Sequence, residues 1–187
     1  MPLARNFFVE GLFIMVFVFL KWLVRLPISF LSTIAAWVVS PLCPLFAHNY
    51  SLRGTRFWWT TTPNCDLRGD PDHQARFHYK NSYWQQVWWV IRNPGVNFQR
   101  EHLGVSVVKT DTRKRVGNPK AQDIGGWFFD RIYRDGKVIA WMLFVYLPYP
   151  FKKDRAFRML LGWKTWDFLV KNPLQITGLI QPWKTFK

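Results

Sequence analysis

One short segment of the sequence holds the residues best suited to chemistry. The carboxylates of Asp66, Asp70 and Asp72 and the imidazoles of His73 and His78 fall within thirteen residues. Oxygen and imidazole ligands suit Mg²⁺, Mn²⁺ or Zn²⁺, so the first four of these residues are candidate metal ligands. Their spacing matches no EF-hand, zincin or deaminase pattern, and Asp, Gly and Pro are ordinary turn residues. We therefore expect a solvated loop, and a metal-dependent enzyme is the third of three functional hypotheses.

Other catalytic patterns are missing from the sequence. It contains no GxGxxG, P-loop or nucleophile-elbow motif. The two cysteines are too few for a disulfide framework or for a four-cysteine zinc site. We therefore expect no catalytic residues, no metal, no cofactor and no enzymatic activity.

The net charge indicates an anionic neighbour. The chain has 26 Lys and Arg against 11 Asp and Glu, a net charge of +15. Basic clusters occur at Arg113, Lys114 and Arg115 and again at Lys152 and Lys153. Anionic lipid headgroups attract such clusters. Nucleic acid is the alternative partner, because aromatic residues beside basic ones also stack on single strands.

The charge is divided unevenly along the chain. Residues 1–47 contain only Arg5, Glu10, Lys21 and Arg25 as charged residues, a net charge of +2. Residues 48–187 contain 23 basic and 10 acidic residues, a net charge of +13. This contrast predicts an apolar helical membrane anchor over residues 1–47 and a basic α+β domain over residues 48–187.

The anchor contains two apolar runs. Residues 7–24 are long enough to cross or half-cross a hydrocarbon layer of about 30 Å. A second run follows Pro27, and Pro41 and Pro44 should end its helix near Ser40. A secretory signal peptide and a helical hairpin buried in a soluble core are alternative interpretations. Membrane attachment is favoured because the segment is apolar on all sides.

The form of attachment stays open between one span and a helix-break-helix hairpin around Arg25 to Pro27. The hairpin either crosses the membrane or lies at its surface, with Lys21, Trp22 and Arg25 at the headgroups. In either case we expect the basic domain in the cytoplasm. The candidate membrane residues are Phe13, Val16, Phe17, Leu20, Lys21, Trp22, Arg25, Leu31, Ile34 and Trp37.

The remaining sequence predicts a small antiparallel β-meander with one short helix. Strand-like patterns cover residues 56–61, 104–109, 126–134, 138–147 and 156–166, whereas residues 113–120 resemble a basic loop. Asp135-Gly136 suits the two-residue turn of a hairpin. A helix is predicted over residues 83–92, with a cap at Asn81-Ser82 and a stop at residues 93–95. The fold class is therefore α+β.

The predicted helix is rich in tryptophan. Trp84, Trp88 and Trp89 cover more than one face of its ten residues, so the helix is either a core element or exposes an indole to a membrane or a partner. Arg92 lies in its last turn, where a basic side chain can bind free carbonyl groups. These four residues join the basic clusters as candidate surface and partner residues.

Residues 83–98, the later Asp-Gly hairpin and the Leu161-Gly162-Trp163-Lys164 sequence together resemble a family of small tailed-bacteriophage proteins. That family has a Trp-rich helix ending in Arg-Asn-Pro-Gly and a sheet whose last strand ends in Gly-Trp-Lys. The resemblance covers roughly residues 64–166 and leaves out the apolar N-terminal segment. It implies a phage origin and an infected bacterium as the setting, and it implies no activity.

These observations together predict a phage-encoded protein of the host inner membrane that acts by binding. Its partners would be anionic membrane lipids and a host membrane protein. A nucleic-acid-binding or virion-associated protein acting at the membrane is the second hypothesis. The sequence gives no oligomeric state.

Overall fold

The computed structural model describes residues 2–186, with side chains from residue 13 onward except that of Lys153. It has the predicted α+β class: a long apolar N-terminal helix, a five-stranded antiparallel sheet and several short helices. The chain forms two compact units. Unit 1 combines Met1–Leu26 with Gly104–Lys187, and unit 2 is Pro27–Leu103.

Unit 1 contains the whole sheet. Its strands are β1 (Thr112–Gly117), β2 (Gly126–Arg134), β3 (Lys137–Tyr149), β4 (Lys152–Trp163) and β5 (Ile176–Thr185). Each strand pairs with the next in antiparallel fashion, which confirms the predicted meander. Asp135 and Gly136 link β2 to β3 with φ angles of 49° and 75°, as the predicted hairpin turn requires.

Three segments of unit 1 differ from the prediction, and one of them is β5, which lies outside the predicted strand-like segments. The predicted basic loop contains β1, an edge strand, where lysine and arginine are common because they discourage pairing with other chains. The predicted strand at residues 104–109 forms only one bridge, from Val105 to Leu174. Strand propensity alone did not identify which segment forms hydrogen bonds with a neighbouring strand of the sheet.

One face of the sheet forms the core of unit 1. Phe128, Met142, Phe144 and Leu160 alternate along β2, β3 and β4 and are almost fully buried. Asp130 is buried on the same face, where it accepts bonds from Arg115 Nε at 2.7 Å and Thr165 Oγ1 at 2.6 Å. A buried carboxylate is tolerated only with such partners.

Unit 2 is helical. It contains the second part of α1 (Pro2–Val39), followed by α2 (Cys43–Phe46), α3 (Pro71–Gln74), α4 (Tyr83–Arg92) and α5 (Val96–Glu101). The helix α4 has the predicted bounds. Ser82 caps it by accepting the N–H of Gln85, and Gly95 follows it in the left-handed conformation at φ 65°. A hydrophobic core forms around Cys43, Leu52, Leu67, Trp89 and Val90.

The strand predicted at residues 56–61 is wrong. These residues form bends and a 3₁₀ turn over Trp58–Thr60. Asn97 Nδ2 donates to the carbonyls of Trp58 and Thr62 at 2.8 and 2.9 Å, and Gly95 N donates to Thr60 O at 2.7 Å. The backbone carbonyls are therefore satisfied by the start of α5 instead of by a neighbouring strand.

The helix α1 is continuous through Pro27 and stops just before Ser40, as Pro41 predicted. Its described form is one long helix and not a helix-break-helix hairpin. The two units meet in sequence at residues 26/27 and 103/104, so α1 contributes to both. The expected boundary at residues 47/48 follows composition, whereas these boundaries follow packing.

Two glycines allow a matched test of the packing of the sheet. In β4, Gly162 has φ 105°, and the carbonyl oxygen of Trp141 occupies the space that a Cβ would need, whereas Gly136 has φ 75° and open space. We expect Gly162→Ala to lower the free energy of unfolding by about 3 kcal/mol and Gly136→Ala by about 1 kcal/mol. Urea unfolding of the full chain in mild detergent measures both, and equal losses would contradict the steric argument.

Candidate membrane-contact surface

The apolar helix is the strongest candidate for a functional surface. Among the described residues, one helix segment, Phe13–Val39, is long and apolar enough to cross a membrane. Length and composition alone are weak criteria, because core helices and signal sequences also meet them. Only 17% of its most apolar window is buried. A core helix of a soluble protein is mostly buried, so that interpretation fits poorly.

In unit 1, one side of α1 packs on the sheet. Trp22 is 5% exposed, donates from Nε1 to Thr177 O at 3.0 Å and contacts the ring of Trp141 edge-on at 5.2 Å. Arg25 Nη1 donates to Gly104 O at 3.2 Å. Trp22 was expected at the lipid headgroups, and this expectation is wrong, since its indole is buried against Trp141 and bonded to Thr177 O.

The other side of the same segment is apolar and exposed. Phe13 is 73% exposed and Phe17 69%. The other exposed members are Val16, Leu20, Leu23 and Val24, whereas Phe19, although 45% exposed, stacks on the ring of Trp141 at 5.8 Å. Phe13, Val16, Phe17 and Leu20, which the sequence predicted to contact the membrane, are therefore exposed, and their contact with lipid stays a prediction. Large apolar side chains that remain exposed in a row mark an interaction surface.

In unit 2, the packed side of α1 consists of small side chains. Buried positions of the helix and its C-terminal extension are Ser29, Ser32, Ala36, Ser40 and Cys43, which recur at helical spacing. They allow close approach: a Cβ added to Gly95 would lie 3.2 Å from Ser32 O. Small residues at a packing side are typical of helices that have lipid on their other side.

The exposed side in unit 2 is again made of large apolar residues. Val38 is 73% exposed. The other members are Ile28, Phe30, Leu31, Ile34, Trp37, Leu42, Leu45 and Phe46. Trp37 is about half exposed, and its Nε1 donates to Ile91 O at 3.0 Å. We call the exposed residues of both units, including Leu42, Leu45 and Phe46 just after the helix, the outer surface of α1.

A second apolar surface, which was not predicted from the sequence, lies on the sheet of unit 1. Strand alternation puts half-buried Phe129, Val145 and Met159 on the same side as Trp141. Trp127, Leu143, Leu147, Leu161 and Ile180 share this side. A water-facing side of an antiparallel sheet is normally polar. The signal was present, because residues 138–147 of β3 are an almost continuous apolar run.

The tryptophans of α4 divide between core and surface. Trp84 and Trp88 are exposed, in agreement with a surface role. Trp89 is buried against the ring of His73 at 5.0 Å, so its expected role as a surface residue is wrong. The guanidinium of Arg92 lies over the Trp89 ring at 5.8 Å and meets Asp70 at 3.5 Å.

The acidic loop has local structural roles. Asp66 binds the guanidinium of Arg68, which holds the pKa of that carboxyl below its usual value. Asp70 caps α3 by accepting His73 N at 2.7 Å, and the His73 ring is bonded to Gln85 O at 2.9 Å. Asp72 is exposed. Within the described chain these four candidates, and all other His, Cys, Asp and Glu, form no group of three that could hold a metal ion.

The basic candidates lie on unit 1, and part of their charge is used internally. Arg115 is committed to Asp130, and Arg113 Nη1 donates to Thr165 O at 3.2 Å. Lys114 lies over the ring of Tyr133 at 5.2 Å, and Lys152 lies over that of Trp183 at 5.9 Å. The side chain of Lys153 is outside the described part of the structure.

The chain belongs to the family of unknown function DUF7338, whose match covers residues 14–187. The matched region includes the apolar helix from residue 14 onward, so α1 is part of the family's common region. Comparison with curated proteins and with solved structures gave no significant match. The family assigns no activity, and the resemblance to tailed-phage proteins stays a prediction.

Neighbouring alanines in α1 test the division of its sides. Ala36 is fully buried in unit 2, and Ala35 is exposed. We expect Ala36→Leu to lower the free energy of unfolding by about 1–3 kcal/mol through overpacking, and Ala35→Leu to leave it nearly unchanged. Both variants add the same side chain to the same helix. Equal denaturation midpoints for the two variants would contradict the division.

Proposed function

We propose that the protein is attached to one face of a membrane through the outer surface of α1 and acts there by binding and not by catalysis. The observation that carries the proposal is the inverted arrangement of α1. In unit 2, small side chains of α1 meet protein, and in unit 1 Trp22, with its hydrogen bond, and Val18 do so. In both units most of its large apolar side chains are exposed. Water opposes this arrangement, because exposed apolar area costs about 25 cal/mol per Å² relative to burial.

The packing of α1 favours a helix that lies in the interface over one that spans the bilayer. In unit 1, a spanning path would draw the sheet at Thr177 and the carbonyl of Gly104 into hydrocarbon with the helix. In unit 2, it would draw in polar groups such as Gln99, whose Nε2 donates to Thr33 Oγ1 at 3.0 Å. Buried polar surface of this kind is unfavourable in a bilayer core. A helix with one protein side and one lipid side avoids that cost.

The basic composition supplies a second attractive term. Residues 48–187 have a net charge of +13. Each Lys or Arg near an anionic leaflet contributes about 1 kcal/mol. This supports a cytoplasmic leaflet as the surface, and the combination of apolar insertion with charge gives more stable attachment than either alone.

We further propose in which membrane the protein acts and which kind of partner it binds there. The resemblance of residues 64–166 to phage proteins supports the inner membrane of an infected bacterium, with unit 1 and unit 2 on its cytoplasmic side. Exposed Trp84 and Trp88 on α4 suit a host membrane protein as the partner, since tryptophan is enriched at interaction surfaces. The protein would recruit or block that partner.

Binding of nucleic acid has weaker support. Of the basic cluster in β1, Arg115 is engaged by Asp130 and Arg113 by a backbone carbonyl. A phosphate-binding strip needs its guanidinium groups free for phosphate. The same reasoning applies to a metal-dependent enzyme, because Asp66 and Asp70 already have protein partners.

Vesicle flotation tests the attachment. We expect the full chain to float with vesicles containing anionic lipid and to remain bound at high salt, because insertion of the outer surface is apolar. Leu20→Asp in unit 1 and Leu31→Asp in unit 2 should each weaken binding about tenfold, since aspartate strongly disfavours an apolar environment.

Val170→Asp is the matched control. Val170 is 79% exposed and does not belong to the outer surface of α1. It lies five residues after Thr165, whose hydroxyl donates to Asp130 on the face of the sheet opposite Trp141. This variant also exchanges an exposed apolar residue for aspartate, and it should float like the unchanged protein. A full chain that stays in solution, or equal losses in all three variants, would overturn the proposed attachment.

Spin-label depth distinguishes an interfacial helix from a spanning one. Phe17→Cys and Leu31→Cys introduce label sites on the outer surface, while Cys43 and Cys65 are buried free thiols. Fourteen residues of α-helix correspond to about 21 Å of rise. An interfacial helix predicts similar shallow depths for both labels by collision with oxygen and a polar nickel reagent. Depths that differ by more than about half of that rise would indicate a spanning helix.

A further inference from the structure

Unit 1 contains an open cleft of about 640 Å³ between the first part of α1 on one side and residues 104–106 and 134–139 on the other. This volume lies within the range of about 300–1,000 Å³ that is typical of small-molecule sites. Its walls are mainly apolar and include Phe13, Phe17 and Val18 from α1 and Val138 and Ile139 from β3. Because Phe13 and Phe17 also belong to the outer surface of α1, the cleft adjoins the surface proposed to meet lipid.

Three cations line the same cleft: Lys21, Arg134 and Lys137. Arg134 is paired with Asp111 through bonds of 2.9 and 2.8 Å, and its guanidinium holds the pKa of that carboxyl below its usual value. In the described part of the chain, Lys21 and Lys137 have no carboxylate within ion-pair distance. The cleft therefore has two uncompensated ammonium groups beside an apolar wall.

Lys21 in particular lacks a favourable neighbour. Burial lowers the pKa of Lys21, and the adjacent charge of Arg25 lowers it further. A bound anion would oppose both effects, because its opposite charge favours the charged form of the ammonium group. An apolar wall next to two cations is complementary to a molecule with a hydrocarbon chain and an anionic head.

We propose that this cleft binds one anionic phospholipid taken from the bilayer, with an acyl chain against Phe13, Phe17 and Ile139 and the phosphate between Lys21 and Lys137. The source of the lipid rests on the proposed membrane attachment. The site would select anionic over zwitterionic lipid, since a choline headgroup adds a positive charge near the two lysines. The protein would thus recognise the anionic leaflet through a defined site in addition to its overall charge.

Native mass spectrometry of the full chain in detergent micelles tests the site. The probe is phosphatidylglycerol, with phosphatidylcholine of the same chains as the comparison. We expect one phosphatidylglycerol to be retained per chain in preference to phosphatidylcholine. Lys21→Gln combined with Lys137→Gln should weaken its retention about thirtyfold, on the basis of two lost lysine contacts.

Two further double variants control for charge and folding. Lys114→Gln with Lys152→Gln removes the same charge from other parts of unit 1 and should retain the lipid. Lys21→Arg with Lys137→Arg keeps both charges in the cleft and should also retain it. Equal weakening in the first control would assign the effect to net charge and overturn the site, as would full retention in the double glutamine variant.

The source of the phosphate is tested by competition. Glycerol phosphate has the head and no chain, so it should not displace phosphatidylglycerol. Displacement at similar concentrations would show a site for soluble phosphate compounds and overturn the lipid proposal. Flotation of the double glutamine variant separates this inference from the attachment: flotation without selective retention overturns the cleft alone, whereas retention without flotation of the unchanged protein supports the cleft and overturns the attachment.

Discussion

Helix α1 packs one side against protein and exposes large apolar side chains on the other, and the rest of the structure depends on this division. Toward protein, it presents Trp22 with a hydrogen bond in unit 1 and Ser32 and Ala36 in unit 2. Small residues permit the backbone contact with Gly95. The bulky residues are left for the outside, where only an apolar medium stabilises them.

The sheet of unit 1 follows from the same constraint. Its inner face is an ordinary core with one neutralised carboxylate, Asp130. Its other face carries Trp141, against which Trp22 packs, and continues in large apolar residues that the helix does not cover fully. A solvated sheet face would expose this area at a cost, so the helix and the sheet face share the same requirement for an apolar neighbour.

Local signals in the sequence predicted the elements that are held by local interactions. Ser82 and Gly95 bound α4, and Asp135-Gly136 sets the hairpin, since caps and turns need only a few adjacent residues. The segment at residues 56–61 was mispredicted because its hydrogen bonds come from a distant side chain. The carbonyls of Trp58 and Thr62 accept from Asn97, so the strand propensity of this segment did not determine its structure.

The candidate surface was predictable in kind and not in detail. Composition indicated an apolar segment, and Phe13 and Leu20 are exposed as expected. The inward orientation of Trp22 was not predictable, because α1 is apolar on all sides and has no clear periodicity. The inward orientation of Trp89 was not predictable because the three indoles of α4 cover more than one of its faces. Only the partner surfaces, here Thr177 O and the ring of His73, determine which indole turns inward.

Helix α1 is therefore part of the fold and not a separate addition to it. Composition suggested that residues 1–47 form a separable anchor, yet Trp22 packs on the Trp141 face of the sheet in unit 1 and Cys43 belongs to the core of unit 2. Loss of residues 1–47 would remove the indole bond to Thr177 and leave a cavity in the core of unit 2, at a cost of several kcal/mol by analogy with large-to-small core changes. A tail joined by a flexible linker leaves its domain free to turn at the membrane. Under the proposed attachment, a helix packed into the fold would fix which surfaces face the lipid, and this orientation would bring the cleft beside Lys21 next to the bilayer.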